Sequence, residues 1–369
     1  MINAPKLWIE KSTPWKAKVH VDKELHRAMD ELERLELIST IKEHTDGISS
    51  LAFADEDGKR WVSASRDGTV RLWEFPAEKE RERFFRDATY ASSRVLHGHR
   101  GPVSCAAISK DGKHAVSSSW DKTLKYWSLD TGKCLRTFDG HENHVNWVCF
   151  STDEKEFLSA SSDRTSSAET PQKLRDEAAA IKRICSHEVG GGSSRCHDDW
   201  ITAVVHAPSS TKKAKAMTCG WDKQIRVWDC GTRQVLHKLP CSHSAAIHAL
   251  EISPDASLLA SGGRDCAVLL WDVEEGKLLA GLQLAHCINA LAYSPVYYWL
   301  SMATDEGIEV WNLEIKKRMT KVVSSGGGGV ATALRWTIDG QYLLVGYSTG
   351  TIEVYRKEIR DFWAPSSRK

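Results

Sequence analysis

The chain has 369 residues, and its 50 Lys+Arg against 49 Asp+Glu leave a formal net charge of +1. So even a balance excludes nucleic-acid binding by bulk charge, and any polyanion contact has to come from a local basic patch. No run of about 18 apolar residues occurs, which excludes a transmembrane helix, and the ten cysteines show neither CxxC pairs nor regular spacing. Cys105, Cys149 and Cys219 fall in strand patterns where a small buried thiol fits, which suits a reducing compartment.

The first residues (MINAPKLWIEKSTPWKAK) carry no apolar signal core, and Glu10 argues against a transit peptide, so the expected location is cytoplasmic. Pro5 and Pro14 interrupt this stretch, and Trp8 and Trp15 stand in a basic segment too short to fold alone. From Asp22 onward Leu25, Met29, Leu32 and Leu35 recur at helical spacing. Residues 1–34 are therefore expected as a partly helical N-terminal extension, either lying on the rim of the body or docking a partner. Leu35 to Lys42 (LELISTIK) alternates as a strand should and leads directly to His44.

From there a single pattern repeats. It reads SASRDGTVRLW at 63–73, SSSWDKTLKYW at 117–127, TCGWDKQIRVW at 218–228 and SGGRDCAVLLW at 261–271, with a looser SMATDEGIEVW at 301–311. Each copy places an Asp six residues before the Trp and a Ser or Thr four before the Asp. The turn position can be followed through Asp67, Asp121, Asp163, Asp222, Asp265 and Asp305 to Thr349, which makes seven units. Ahead of these turns run strands that end in reversals, such as AAISKDG at 106–112 and LEISPDA at 250–256. A period of this kind marks WD40 blades, so the expected fold is all-β, a seven-bladed WD40 β-propeller spanning about 35–360 with a tail at 361–369.

Each blade predicts an internal network in which a His from the loop leading in bonds the strand Ser, the turn Asp holds that His, and the Trp indole joins. The sets are His99, Ser117, Asp121 and Trp127 in blade 2, and His243, Ser261, Asp265 and Trp271 in blade 5. They resemble catalytic Ser–His–Asp groups, but a nucleophile is needed once and not in every blade. A structural role is the expectation, with no enzymatic function and no cofactor. Two blades depart from the pattern. In blade 3 Glu169 stands where Trp is expected, and an insertion follows at about 165–195. Blade 7 has Tyr355 in place of Trp and no clear fourth strand, so the strand at 35–42 is expected to close the ring inside this last blade and remove an open edge.

The stretch 217–313 is more specific. Its MTCGWDKQIRVWD, SGGRDCAVLLWDVEEGKLL and INALAYSPVYYWL closely resemble the receptor for activated C kinase family, and the resemblance extends over about 36–357. It implies a scaffold on the head of the 40S ribosomal subunit near the mRNA exit, touching 18S rRNA and ribosomal proteins. That scaffold recruits protein kinase C-like kinases and translation factors, with no membrane and no small-molecule substrate. The family's ribosome-facing cations map here onto Arg66, Arg94 and Arg164, while Gly68 and His97 stand where family cations are lost. Arg100 and Lys122 belong to blade 2 loops expected on the same face. Kinase docking in the family involves the sixth blade, which here offers Ile288, Asn289, Tyr297 and Tyr298. A G-protein β-like adaptor is the alternative, although its long coiled-coil helix is not matched by the short apolar spacing before residue 35. Cys185, His187, Cys196 and His197 match no zinc spacing, and the Gly326–Gly329 run lacks the Gly-Lys-Ser/Thr of a phosphate loop, so no metal site is expected.

Overall fold

The computed structural model describes residues 7–9, 33–54, 58–75, 92–152, 154, 156–169, 182–183, 196–207, 214–232, 234–240, 242–323 and 329–359. Strands β1 (Leu7–Ile9) and β2 (Glu33–Lys42) precede the repeats. Blade 1 comprises β3 (Ile48–Phe53), β4 (Arg60–Ser65), β5 (Val70–Glu74) and β6 (Arg94–Leu96). Blade 2 comprises β7 (Val103–Ile108), β8 (His114–Ser119), β9 (Thr123–Ser128) and β10 (Cys134–Asp139). Blade 3 has β11 (Val145–Phe150), β12 (Phe157–Ser161), β13 (Ser166–Glu169) and β14 (Lys182–Arg183), and blade 4 has β15 (Ile201–His206), β16 (Lys215–Gly220), β17 (Ile225–Asp229) and β18 (Val235–Lys238). Blade 5 has β19 (Ile247–Ile252), β20 (Leu258–Gly263), β21 (Ala267–Asp272) and β22 (Leu278–Gln283). Blade 6 has β23 (Ile288–Tyr293), β24 (Trp299–Thr304), β25 (Gly307–Asn312) and β26 (Lys317–Val323). Blade 7 is β27 (Ala331–Trp336), β28 (Tyr342–Tyr347) and β29 (Thr351–Ile359), completed by β2.

Each blade is an antiparallel sheet in simple order, and each first strand packs against the first strand of the next blade around the ring. The apolar core consequently lies between blades. One cluster joins Ile48, Trp61 and Trp73 of blade 1 to Leu344, Ile352 and Val354 of blade 7. Second strands are covered on both faces, which is why β16, β20, β24 and β28 are buried throughout and, apart from Lys215, carry no charged residue. A small residue is needed where the next blade's first strand begins. A Cβ on Gly262 would stand 2.7 Å from Ile288 Cγ2, and one on Gly346 would run into Ile48 Cγ2.

The ring closes as the alternation at 35–42 predicts. β2 pairs with β29 from Glu33↔Ile359 to Lys42↔Thr351, with a register shift between Leu37 and Ser39. The strand starts two residues earlier than the sequence pattern indicates, so Leu35 belongs to the sheet. The remaining positions of the helical spacing (Leu25, Met29, Leu32) lie outside the described residues. β1 adds a fifth strand antiparallel to β22 on the outer edge of blade 5, with Leu7↔Leu282 and Ile9↔Ala280 in register, a pairing that the sequence pattern does not announce. Blade 3 does form its third strand despite Glu169, which pairs with Phe157, and its fourth strand is drawn from within the insertion.

Shortening the chain to begin at Glu43 removes β2 and bares the edge of β29. Loss of two or three half-buried to buried apolar side chains, at about 1.5–3 kcal/mol for a fully buried one, is expected to lower the thermal midpoint by about 10 °C or more. The open edge is also expected to produce higher oligomers in size-exclusion chromatography with light scattering. A shortened chain that stays monomeric with an unchanged midpoint would contradict this closure.

Candidate functional site

Five blades contain the same buried chain of hydrogen bonds. His44 Nδ1 is 2.7 Å from Asp67 and its Nε2 is 2.8 Å from Ser63 Oγ, which also accepts the Trp73 indole N–H at 2.9 Å. Blade 2 repeats this with His99 2.9 Å from Asp121 and 2.7 Å from Ser117, and Trp127 donating to Ser117 at 2.8 Å. Blade 5 does so with His243, Asp265, Ser261 and Trp271, each contact at 2.8 Å. Blade 4 uses Thr218 in place of Ser, with His197, Asp222 and Trp228. In blade 3, which has no Trp, His141 still reaches Asp163 at 2.7 Å and Ser159 at 2.8 Å.

The protonation pattern follows from the carboxylates. An ionised Asp only accepts, so the His Nδ1 carries the proton, Nε2 accepts from the hydroxyl, and the indole supplies the hydroxyl oxygen's remaining contact. Burial works against ionisation of Asp163, but the hydrogen bonds from His141 and Thr165 outweigh it and hold the carboxyl at about 2. Asp67 and Asp121 are depressed further by the same balance, and both also receive a Thr hydroxyl, from Thr69 and Thr123. Asp222 and Asp265 are lowered as well, with Gln224 and Ala267 supplying only a backbone N–H at that place. The hydroxyls of Ser63, Ser117, Ser159, Thr218 and Ser261 are fully buried, so none is presented to a substrate.

Because each Asp also accepts the N–H of the residue after its His, the network ties the loop leading into a blade to the turn between its second and third strands. Both segments lie at one end of the ring. Arg66, Lys122 and Arg164 occupy these turns in blades 1 to 3, and Arg100 occupies the loop into blade 2. Arg66, Arg100 and Lys122 are exposed and Arg164 is half-exposed, and among the described residues none of the four side chains makes an ion pair. Arg94 is placed differently. It begins the outer strand β6 opposite Leu72, with its side chain beside Gly132, which belongs to a turn at the other end of blade 2.

In blades 1 to 5 the residue after the turn Asp adopts a left-handed backbone. Gly68 has φ +84°, Lys122 +73°, Arg164 +71°, Lys223 +64° and Cys266 +59°. An L side chain there costs about 1–2 kcal/mol relative to glycine, so the loss of a family Lys at position 68 leaves the residue that the backbone prefers.

The profile of the WD40 family ("WD domain, G-beta repeat") matches residues 35–74, 91–128, 132–166, 192–229 and 233–272. "Small ribosomal subunit protein RACK1" of Caenorhabditis elegans is 34% identical over 337 residues, covering 89% of this chain and 98% of that protein. The protein of the same name from Drosophila melanogaster is 33% identical, at 89% and 98% coverage. "Cross-pathway control WD-repeat protein 2" of Flammulina velutipes is 31% identical, at 88% and 98%. The chain belongs to the WD40 family and, within it, to the receptor for activated C kinase (RACK1) family. Each of the five matched segments contains one of the five His–Asp pairs.

Blade 6 has no such His. There Asn289 donates to Asp305 at 3.0 Å, Trp311 donates to Glu309 at 3.2 Å, and Ser301 receives the indole of Trp336 from blade 7 at 2.9 Å. This cross-blade indole is a contact that the repeat pattern does not reveal. The four blade 6 candidates do not form one surface. Ile288 is 0% exposed against Gly262, and Asn289 is engaged near one end of β23. Tyr297 and Tyr298 follow the other end of that strand, Tyr297 stacked on Trp299 and Tyr298 53% exposed. Ile288 is thus corrected from a docking residue to a core residue, because its branched side chain fills the space left by the missing Cβ of Gly262.

The inner strands surround a cavity of about 280 Å³ lined in part by Cys105, Trp147, Cys149, His248, Glu251 and Arg335. Arg335 bonds Glu251 across it at 2.8 Å; the two belong to different blades, so no local motif signals the pair. Burial nevertheless pushes the Glu251 carboxyl up. Burial also raises the Cys105 thiol to about 11 and Cys219 to about 12, in keeping with packed, unreactive sulfurs. Cys196, by contrast, is disulfide-bonded, which the expectation of a reducing compartment does not anticipate. His197 is fully engaged by Asp222 and Thr218, Cys185 and His187 lie outside the described residues, and among the described residues no three His, Cys, Asp or Glu are grouped to hold a metal.

The carboxylates make stability pH-dependent with a definite sign. A depressed Asp stabilises the fold fully above its ordinary value of 3.8, and that contribution is lost as pH falls toward about 2 for Asp163. Burial holds His197 below 6.5, so it protonates on unfolding and adds a shallower loss beginning below that pH. Urea midpoints between pH 7 and 2 are expected to fall in this order. Asp163→Asn is expected to cost on the order of 1–2 kcal/mol at pH 7 and to flatten the acid limb; an acid limb as steep as that of the parent chain would show that Asp163 is not part of it.

Proposed function

We propose that the chain is a non-catalytic scaffold of the cytoplasmic small ribosomal subunit. In this reading it is seated on 18S rRNA and ribosomal proteins of the 40S head through the loop tips of blades 1 to 3. The observation that carries the reading is that Lys122 and Arg164 keep cationic side chains at left-handed turn positions where glycine would be more stable. Backbone strain of this sort persists where a side chain is needed. With Arg66 and Arg100 at the same end of the ring, they form a group of cations, without ion pairs among the described residues, on turns and loops that the His–Asp network holds rigid. Arg forks onto phosphate oxygens and Lys acts as a point charge, so the group suits an RNA backbone and not a base sequence. Arg94, on the outer strand, contributes from the flank. The name shared by the two animal relatives supports the same assembly.

The opposite end of the ring is left for protein kinase C-like kinases and translation factors, with Tyr298 and the neighbouring Val296 exposed there and Tyr297 half-buried beside them. The G-protein β-like alternative needs a helix running up to the ring, and Glu33–Lys42 is a strand.

Arg66→Glu combined with Arg164→Glu is expected to move the chain from the 40S peak to free fractions in a sucrose gradient. Unchanged co-sedimentation would remove this face from consideration. Lys122→Gly separates binding from folding. Its thermal midpoint is expected to hold or rise, while the slope of log affinity for purified 40S subunits against log salt becomes shallower by about 1. An unchanged slope would show that Lys122 makes no phosphate contact.

A further inference from the structure

Two cysteines meet where blade 5 joins blade 6. Cys266 occupies the left-handed position of the blade 5 turn, and Cys287 stands in the loop leading into β23. Their sulfurs are 3.9 Å apart, and both are partly exposed. Cys266 Sγ–H points at Cys287 Sγ, and both thiols also lie near the Arg264 carbonyl, at 3.7 Å and 3.4 Å. The other described thiols are either packed into the sheets, as with Cys105 and Cys219, or bonded to backbone oxygens elsewhere, as with Cys134.

We propose that Cys266 and Cys287 form a reversible disulfide under peroxide, stapling the blade 5 turn to the loop into blade 6. The sulfurs need to approach by about 1.9 Å to reach a bond length of about 2.0 Å, a distance that χ1 rotation on two loop residues spans. The backbone position of Cys266 points the same way, because glycine would be more stable at φ +59° and a cysteine is kept there. The hydrogen bond assigns the two roles. Cys266 holds its hydrogen in the bond to Cys287, so Cys287 is assigned the attack and Cys266 the resolving step. Burial and the hydrogen bond to Cys287 raise the Cys266 thiol to about 11, which keeps its proton in place until the second step.

In the first step the Cys287 thiolate displaces hydroxide from the peroxide O–O bond and becomes a sulfenic acid, and the hydroxide takes a proton to give water. The Cys266 sulfur then attacks the sulfenic sulfur, the S–O bond breaks, and a second water leaves with the thiol proton. Two thiols lose two electrons to one hydrogen peroxide, and a dithiol reverses the change. Oxidation removes both S–H groups from the Arg264 carbonyl. The Arg264 guanidinium lies 5.3 Å over the ring of Trp221, which itself packs on the exposed Trp200, so this aromatic patch reports the redox state.

The test uses the full chain, reduced and desalted, treated with a small excess of hydrogen peroxide and then alkylated. Trypsin cuts after Arg264, Lys277 and Lys316 and so separates the two cysteines onto different peptides. The expected product is peptide 265–277 joined to 278–316, lighter by about 2 Da than the two together and resolved again by dithiothreitol. Intrinsic tryptophan emission should shift with it. Cys266→Ser should leave Cys287 trapped as sulfenic acid, captured by dimedone. Recovery of both cysteines alkylated, or of each oxidised without a cross-link, overturns the proposal. If the serine variant does not fold, the peptide map of the unmodified chain still decides between these outcomes.

Discussion

The structure depends on one small electrostatic arrangement, an ionised aspartate at a turn that accepts from a buried histidine, a backbone N–H and, in three blades, a threonine hydroxyl. Left unpaired, any of these groups would be costly in a buried setting; joined as indole, hydroxyl, imidazole and carboxylate they complete one another. The consequence is mechanical. The loop arriving from one blade and the turn of the next are held in a fixed relation, so one end of the ring presents residues on rigid supports. The left-handed residue after each Asp projects from that support, which gives Lys122, Arg164, Lys223 and Cys266 equivalent positions in successive blades.

Blades 6 and 7 hold together by other means. Trp336 of blade 7 reaches Ser301 of blade 6, and Lys357 of β29 lies 3.5 Å from the Tyr297 ring centroid and 4.4 Å from that of Trp299. These contacts, together with the pairing of β2 on β29, make the closing blades a joint between the two ends of the chain. The most irregular blades are thus the ones that bear the closure. Their loops are not tied by the His–Asp network.

The charge arrangement has a similar logic. A net charge of +1 gives no long-range pull toward polyanions, yet cations that make no ion pair among the described residues are gathered on turns and loops of blades 1 to 3. Some cations elsewhere are matched within or between blades, as with Arg71 and Glu43, Arg60 and Asp130, or Lys215 and Glu274. The proposed contact at one end, with neutrality overall, would let the ring bind one large anionic surface without adhering to others.

The repeat was readable because its chemistry is local: a Ser, an Asp and a Trp at fixed spacing fall on one hairpin, and a preceding His completes the set. The ring, its closure by residues 35–42 and the buried tetrads follow from that period. Tertiary structure alone decided what depends on residues from different blades. Ile288 lies in the core because Gly262 of another blade makes room for it, Glu251 and Arg335 meet across the central cavity, and Cys266 finds Cys287 over a blade junction. The fifth strand at Leu7–Ile9 is of the same kind, since a three-residue segment has no period to read and gains its hydrogen bonds only from the edge of blade 5. Pattern along a chain reports what neighbours in sequence must do to stay buried, whereas contacts between blades depend on how the ring turns each sheet toward the next.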